Sequence, residues 1–94
     1  MTRVVHCKKE PYDVYIGRPT IFGNPHRISA KMDRPTVIAL YRTYLRERMK
    51  RDEKFRNAIL SLKGKVIGCW CKPLQCHGDV IVEIVEGWNG EINE

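Results

Sequence analysis

A short apolar run, bounded by a glycine and a proline that interrupt regular secondary structure, constrains the fold of this sequence more than any other feature. Residues 65–71 read Lys-Val-Ile-Gly-Cys-Trp-Cys, with Gly64 before them and Pro73 shortly after. A continuous apolar run of this length, without alternation of polar residues, is typical of a strand that is buried on both faces. Such strands occur in parallel sheets whose faces are covered by helices, so the run predicts a central strand in an α/β fold.

The rest of the chain supplies the other elements in an alternating order. Residues 3–8 and 12–16 are rich in strand formers, and two helices follow, with Asp33 and Asp52 as their expected N-caps and Gly64 as the end of the second. A last helix is expected to open at Gly78. We therefore predict a small α/β sandwich with a short, partly parallel sheet flanked by helices. It forms a single domain over residues 1–94, in which residues 88–94 are a loose tail.

Composition limits the classes of partner. The chain has no apolar stretch near the roughly 20 residues that a bilayer span needs, and no export signal is visible at its start, so we expect a cytoplasmic protein without a membrane partner. Its four cysteines are then expected as thiols or metal ligands rather than disulfides. The net charge of +6 favours an anionic partner, either a small molecule or a nucleic acid.

The loop over residues 71–79 is the main candidate site, because it follows the buried strand and precedes the last helix. A helix start offers free N–H groups and a partial positive charge, which stabilise an anion or a thiolate. Lys72 adds positive charge as a candidate ligand-binding residue. The residues in the loop that could act on a bound ligand as nucleophile, acid or base are Cys71, Cys76, His77 and Asp79.

Two other interpretations of this loop remain open. Three thiols and an imidazole are an allowed zinc-binding set, which would comprise Cys69, Cys71, Cys76 and His77, although the spacing is not a usual zinc pattern. Alternatively, the cysteines are small buried apolar residues and His77 is simply hydrogen-bonded. The cofactor is therefore undetermined, with zinc as the candidate.

A second loop, over residues 17–27, is irregular and could contribute to the same site. Arg18 could hold a phosphate or carboxylate, and Tyr15 at the edge of the loop could stack on a base. Asn24 could contact a base or ribose, or could serve a turn that needs a left-handed residue. His26 could extend the site or fill a surface position. Trp70 lies in the predicted central strand, so we expect it in the core rather than stacked on a ligand.

Three motifs together resemble a small domain family of unknown function that is common in bacteriophages and bacteria. They are Y-x-G-R-P at residues 15–19, G-N-P at residues 23–25 and C-W-C-x-P-x-x-C-H-G-D-V at residues 69–80. The resemblance covers the chain from Val4 to about Glu86. It implies an α/β fold and a phage or prophage setting, and it implies no particular reaction.

Two hypotheses for function follow. In the first, the loop over residues 71–79 forms a nucleotide- or nucleic-acid-related anion-binding pocket, with a hydrolase or transferase activity as an option. In the second, the protein is a non-enzymatic phage effector that binds a host protein or DNA through a basic helical face, with a structural or zinc-bound cysteine loop. The basic residues of that face are Arg42, Arg46, Arg48, Lys50 and Arg51.

Overall fold

The computed structural model describes residues 1–72 and 74–88. These residues form three strands and three helices in the order β1 (Arg3–His6), β2 (Val14–Tyr15), α1 (Arg34–Arg51), α2 (Glu53–Leu60), β3 (Val66–Cys69) and α3 (His77–Glu86). The predicted α/β class is confirmed. None of the helices in this described part of the chain is long and apolar enough to cross a membrane.

Strand β3 lies at the centre of the sheet, between β1 and β2. Both pairings are parallel: Val5 lies opposite Gly68 on one side, and Tyr15 lies opposite Gly68 on the other. Ile67 and Cys69 point to the same face of the sheet, and both are buried there. On the other face Gly68 is buried against the Tyr12 ring, but Val66 is only partly buried, so the predicted burial of both faces holds only in part. Because the strands are parallel, the carboxyl ends of β2 and β3 lie at the same edge of the sheet.

Helix α1 begins where the sequence predicts. The side chain of Asp33 accepts a hydrogen bond from the Thr36 N–H over 3.0 Å, and Pro35 occupies the first turn, where its missing N–H costs nothing. The helix buries one stripe along its length, which consists of Val37, Ile38, Tyr41, Leu45 and Met49. This stripe faces the core, and the start of α1 lies near the carboxyl ends of the strands.

Asp52 separates α1 from α2 and serves both. Its backbone N–H donates to the Arg48 oxygen at the end of α1, and its side chain accepts from the Phe55 N–H at the start of α2. The second helix ends at Leu60 rather than at Gly64 as predicted. Gly64 instead lies in the turn before β3, with a φ of +85° that favours glycine.

Helix α3 packs tightly against the sheet at its first turn. It begins at His77, one residue before the predicted position, with Cys76 as its N-cap. A Cβ at Gly78 would lie 2.8 Å from both the Ile16 Cδ1 and the Val4 Cγ2, so only glycine allows this approach. The close contact holds the start of α3 directly beside the end of β2.

A buried hydroxyl joins distant parts of the chain. Thr2 is buried, and its Oγ1 donates to the Glu86 carboxylate over 2.6 Å while accepting from the Gly64 N–H over 2.7 Å. These bonds from Thr2 lower the pKa of Glu86. Trp88 packs partly buried against the core, and the remainder of the predicted tail, residues 89–94, lies outside the described residues.

Candidate functional site

A cleft of about 590 Å³ opens at the carboxyl ends of β2 and β3. Tyr15, the last residue of β2, lines it, and so do Trp70 and Cys71, which directly follow β3. The helices α1 and α3 both begin at the cleft, with Arg34 and His77 in its wall. Ligands of open parallel sheets bind at this position, and the volume falls within the roughly 300–1,000 Å³ of small-molecule sites.

The wall of the cleft is strongly basic. It contains the three arginines Arg18, Arg27 and Arg34 as well as His26 and His77. Within residues 1–72 and 74–88, no aspartate or glutamate belongs to the lining. Several cations at one concave surface without a carboxylate produce a local positive potential, which attracts anions.

Two of these arginines are held in place by the backbone. Arg18 donates from Nη1 to the Asn24 oxygen over 3.1 Å, and Arg34 donates from Nη1 to the Gln75 oxygen over 3.0 Å. A guanidinium has five N–H donors, so each retains most of them for a ligand. Arg27 has no hydrogen-bond partner within the described residues and is exposed.

Asn24 organises the loop that carries Arg18. Its side chain is buried, donates to the Val37 oxygen over 3.2 Å, and accepts from the His26 N–H over 2.9 Å. The prediction of a left-handed backbone at Asn24 is wrong, because no described residue except a glycine has a positive φ. Asn24 lines the cleft, but its amide is already used to fix the loop against α1.

Two aromatic side chains face the cleft. The Tyr15 ring lies against the backbone of Gly17, where an added Cβ would overlap its hydroxyl. Trp70 is 55% exposed, so the prediction that it lies in the core is wrong. The cause is that β3 ends at Cys69, two residues before the end of the predicted apolar run at Cys71. The Trp70 indole and the His6 ring pack edge to face with their centroids 5.7 Å apart, and the Lys8 Nζ lies 5.4 Å from the centroid of the indole.

His77 is a buried imidazole in the wall of the cleft. Its Nε2 lies 2.8 Å from the Ile16 oxygen, and its ring meets the Tyr41 ring edge-on at 5.1 Å. Because a carbonyl oxygen only accepts, Nε2 carries the proton. Burial lowers the pKa of His77 below 6.5, so the ring is neutral at pH 7 and its Nδ1 is an unprotonated base.

Three of the predicted site residues stabilise the loop instead of lining the cleft. Cys76 caps α3 by accepting from the Gly78 N–H over 3.2 Å, and Asp79 accepts from the Cys76 N–H over 3.0 Å, which completes a capping box. Lys72 forms an ion pair with Asp79 at 2.8 Å. These contacts position His77 and Cys71, which line the cleft.

The four proposed zinc ligands are not brought together as a set. Cys69 and Cys76 are buried with their Sγ atoms 2.7 Å apart, whereas Cys71 is half-buried in the cleft wall. The His77 Nδ1 lies 3.9 Å from the Cys76 Sγ. Over the described part of the chain, no group of three or more Cys, His, Asp or Glu side chains is arranged to hold a metal ion.

Several residues of the cleft were not predicted from the sequence. Arg27 and Arg34 were not singled out, and neither was the apolar part of the wall, which consists of Ile28, Val37 and Ile38. One signal was present for Arg34: it precedes Pro35 at a capped helix start, and helix starts in α/β folds lie near the carboxyl ends of strands.

The basic face of α1 is largely occupied by contacts within the molecule. Arg42 pairs with Glu83 at 2.8 Å, and Arg48 donates to the Tyr44 hydroxyl over 2.7 Å and lies 3.6 Å from Asp52. Lys50 pairs with Glu47. Arg51 is exposed and Arg46 is half-buried. Most of this positive charge is therefore compensated locally.

Comparison with known proteins places the chain in a family. The profile of DUF4326, described as a domain of unknown function, matches residues 2–87. The chain belongs to this family. The DUF4326 domain therefore contains all three strands, all three helices and the cleft. The predicted resemblance to a phage and bacterial family of unknown function is confirmed.

A phage protein shares most of this DUF4326 domain. The uncharacterized 12.4 kDa protein in the nrdA–td intergenic region of Enterobacteria phage T4 is 38% identical to this chain over 85 residues. The match covers 90% of this chain and 78% of the phage protein. No solved structure matches the chain.

Proposed function

We propose that the cleft binds a phosphorylated ligand of the nucleotide class. The observation that carries this proposal is the lining: three arginine side chains and no carboxylate within the described residues. A guanidinium binds phosphate oxygens through paired hydrogen bonds as well as by charge, which makes arginine the preferred side chain for such ligands.

The arrangement of Arg18 and Arg34 supports phosphate recognition in particular. Both guanidinium groups are already fixed by a main-chain oxygen, so little side-chain entropy is lost when an anion binds. Arg27 also lines the cleft, is exposed and is unpaired within the described residues, so its guanidinium is free to bind the same anion. A carboxylate ligand would be attracted as well, but three guanidinium groups suit a phosphate with several oxygens better.

The aromatic and apolar parts of the cleft support a ligand that also carries a planar ring. Tyr15 and Trp70 both line the cleft, and the exposed face of Trp70 is available to a base. Ile28, Val37 and Ile38 add apolar surface. Phosphate contacts at the arginines and stacking at the aromatic rings together describe a mononucleotide or a single nucleotide of a nucleic acid.

Cys71 and His77 are the lining side chains suited to chemistry on such a ligand. Cys71 offers a thiol at the cleft wall, and His77 is a neutral imidazole with an unprotonated Nδ1. A hydrolase or transferase activity of this cleft would depend on these two residues. Cys76 and Asp79, which the sequence also suggested as catalytic, act in our proposal by holding the start of α3.

The rival function, a basic helical face that binds DNA or a host protein, receives less support. Arg42, Arg48 and Lys50 each contact a carboxylate of the same chain, which reduces the charge available to a partner.

We propose the cytoplasm of the host cell as the location of the protein, where the four cysteines would remain the free thiols that the structure shows.

Calorimetric titration of the full chain with adenosine monophosphate, inorganic pyrophosphate and adenosine tests the proposal. We expect the monophosphate to bind most tightly, because it alone uses both the arginines and the aromatic rings. Arg27→Ala should weaken that binding by about 10- to 100-fold, the effect of losing one charge-assisted hydrogen bond.

Arg51→Ala is the matched control, since it removes the same charge from the far end of α1, roughly 25 Å from the start of the helix. It should leave the monophosphate affinity within twofold of the unmodified chain. Equal losses in the two variants, or no binding of either phosphorylated compound, would show that the cleft is not a phosphate site.

A further inference from the structure

Two buried thiols lie together beneath the cleft. Cys69 ends β3 and Cys76 caps α3, and both side chains are at most 1% exposed. Their Sγ atoms are 2.7 Å apart. The sulfur atoms of a disulfide are about 2.05 Å apart, so a bond between these two would need a shift of only about 0.7 Å.

The surroundings give the two thiols different protonation states. The Cys76 thiol donates to Cys69, the N–H groups of Cys71 and Lys72 also face Cys69, and the Lys72 ammonium lies near it; together they lower the pKa of Cys69 to about 6. The hydrogen bond with Cys69, together with burial, raises the pKa of Cys76. Cys69 is therefore the more acidic thiol of the pair, and Cys76 is the thiol that donates a hydrogen bond to it.

We propose that Cys69 and Cys76 are a redox-active dithiol that closes to a disulfide when the protein meets a peroxide. This inference does not depend on what the cleft binds. It rests on the distance between the two sulfur atoms, on their position at the joint between β3 and α3, and on the hydrogen bond between them.

The reaction balances with hydrogen peroxide as the oxidant. The Cys69 thiolate attacks one peroxide oxygen, the O–O bond breaks, and the departing hydroxide takes up a proton to become water, which leaves a sulfenic acid on Cys69. The Cys76 sulfur then attacks the Cys69 sulfur, the S–O bond breaks, and the hydroxide leaves as water with the Cys76 proton. Two thiols are oxidised to one disulfide, and one peroxide is reduced to two waters.

Burial determines which reagents can use this pair. Peroxide is scarcely larger than water, whereas bulky thiol reagents should reach only the half-buried Cys7 and Cys71. The new bond would close a ring over residues 69–76, which includes Trp70 and Cys71 of the cleft wall. Oxidation would therefore restrain one wall of the cleft.

Mass spectrometry of the full chain after peroxide treatment tests the proposal. We expect the protein to lose the mass of two hydrogen atoms, and peptide mapping to show a cross-link between Cys69 and Cys76. Dithiothreitol should reverse the change, and the oxidised form should melt at a temperature several degrees higher. Cys71→Ser should form the same cross-link.

Cys76→Ser is the informative variant, because serine is a preferred N-cap and should keep α3 folded. It should form no disulfide, and Cys69 should instead accumulate as a sulfenic or sulfinic acid. The proposal is overturned if peroxide links Cys71 to another cysteine, if it oxidises Cys71 alone, or if Cys76→Ser forms the same disulfide mass as the unmodified chain.

Discussion

The Nε2 atom of His77 lies 2.8 Å from the main-chain oxygen of Ile16, across 61 positions of the sequence. This hydrogen bond joins the first residue of α3 to the residue that follows β2. It fixes both the ring orientation and the tautomer of the imidazole, so the unprotonated Nδ1 is a fixed property of the folded chain. The cleft wall and the sheet are therefore coupled through one side chain.

Stability should depend on pH through His77. Its pKa in the folded chain is below 6.5 because of burial, whereas in the unfolded chain it is close to 6.5. As the pH falls below 6.5, the unfolded chain binds a proton that the folded chain resists, so the free energy of unfolding decreases until the folded pKa is passed. Above pH 6.5, where His77 is neutral in both states, titration of this residue no longer lowers the free energy of unfolding.

Urea denaturation at pH 7.5 and pH 5.5 measures this effect. The unmodified chain should lose more stability between these two values than His77→Asn, in which the titrating group is absent. An NMR titration of the unmodified chain supplies a second measurement, in which the His77 ring should protonate below pH 6.5. A His77 midpoint at or above 6.5 would contradict the burial argument.

Trp70 should report ligand binding directly. The chain has two tryptophans, of which Trp70 faces the cleft and Trp88 packs on the core. In a Trp88→Phe variant, the fluorescence of Trp70 should be quenched when adenosine monophosphate is added. In a Trp70→Phe variant, the remaining signal should not change.

Replacing Trp70 by alanine should also weaken binding of the monophosphate. Stacking of a base on an aromatic ring contributes about 1–3 kcal/mol, which corresponds to roughly 5- to 150-fold in affinity. Binding of inorganic pyrophosphate should be almost unchanged in the same variant, because it has no base. If both ligands lose affinity equally, Trp70 acts on the shape of the cleft rather than on the base.

Asp79 should matter for folding more than for chemistry. Asp79→Ala removes the acceptor that completes the capping box of α3 and should lower the free energy of unfolding by about 1 kcal/mol. Lys72→Met keeps the cap and loses only the partly exposed ion pair, so its effect should be about 0–1 kcal/mol.

Chemical denaturation of both variants, alongside ligand titration under native conditions, distinguishes the two roles of Asp79. We expect Asp79→Ala to bind adenosine monophosphate within a few-fold of the unmodified chain once it is folded. A folded Asp79→Ala protein that has lost binding or turnover completely would restore Asp79 to the site.

Two glycines should resist substitution for different reasons. Gly78→Ala places a Cβ 2.8 Å from side-chain atoms of Val4 and Ile16, which should destabilise the chain by about 1–3 kcal/mol through overpacking. Gly64→Ala meets no atom within 4 Å but must adopt a φ of +85°, at a cost of about 1 kcal/mol.

Thermal denaturation and ligand titration together separate these two effects. Gly78→Ala should also weaken ligand binding, since α3 and His77 must move, whereas Gly64→Ala should lower only the melting temperature. Unchanged stability in Gly78→Ala would show that the contact between α3 and the sheet is looser than the structure indicates.

The local parts of the fold were predictable because they depend on neighbouring residues. Asp33 and Asp52 were expected as N-caps and both are confirmed, since each acts on an N–H three positions ahead. The central strand was predicted from the apolar run alone. Strand ends were not predictable: Trp70 continues the apolar run but lies past the last pairing, and alternation of side chains does not show where the pairing stops.

The candidate site was predicted in position but only partly in membership. Cys71, His77, Arg18 and Tyr15 line the cleft, because strand ends and helix starts meet at one edge of a parallel sheet. Arg34 was missed, since its place depends on how α1 packs onto the sheet. Asp79 was predicted as a catalytic residue, and in the structure its carboxylate accepts from the Cys76 N–H. A sequence does not distinguish a carboxylate that caps a helix from one that faces a cavity.

The central position of β3 governs the order in which this molecule can be completed during synthesis. Within the described residues the two outer strands do not pair with each other, and each pairs with residues 66–69, which the ribosome adds after α1 and α2. A nascent chain that stops at residue 60 would hold two unpaired strand segments and two helices, but no sheet and no cleft. Assembly of the sheet and of the cleft must therefore wait until β3 and the start of α3 have been synthesised.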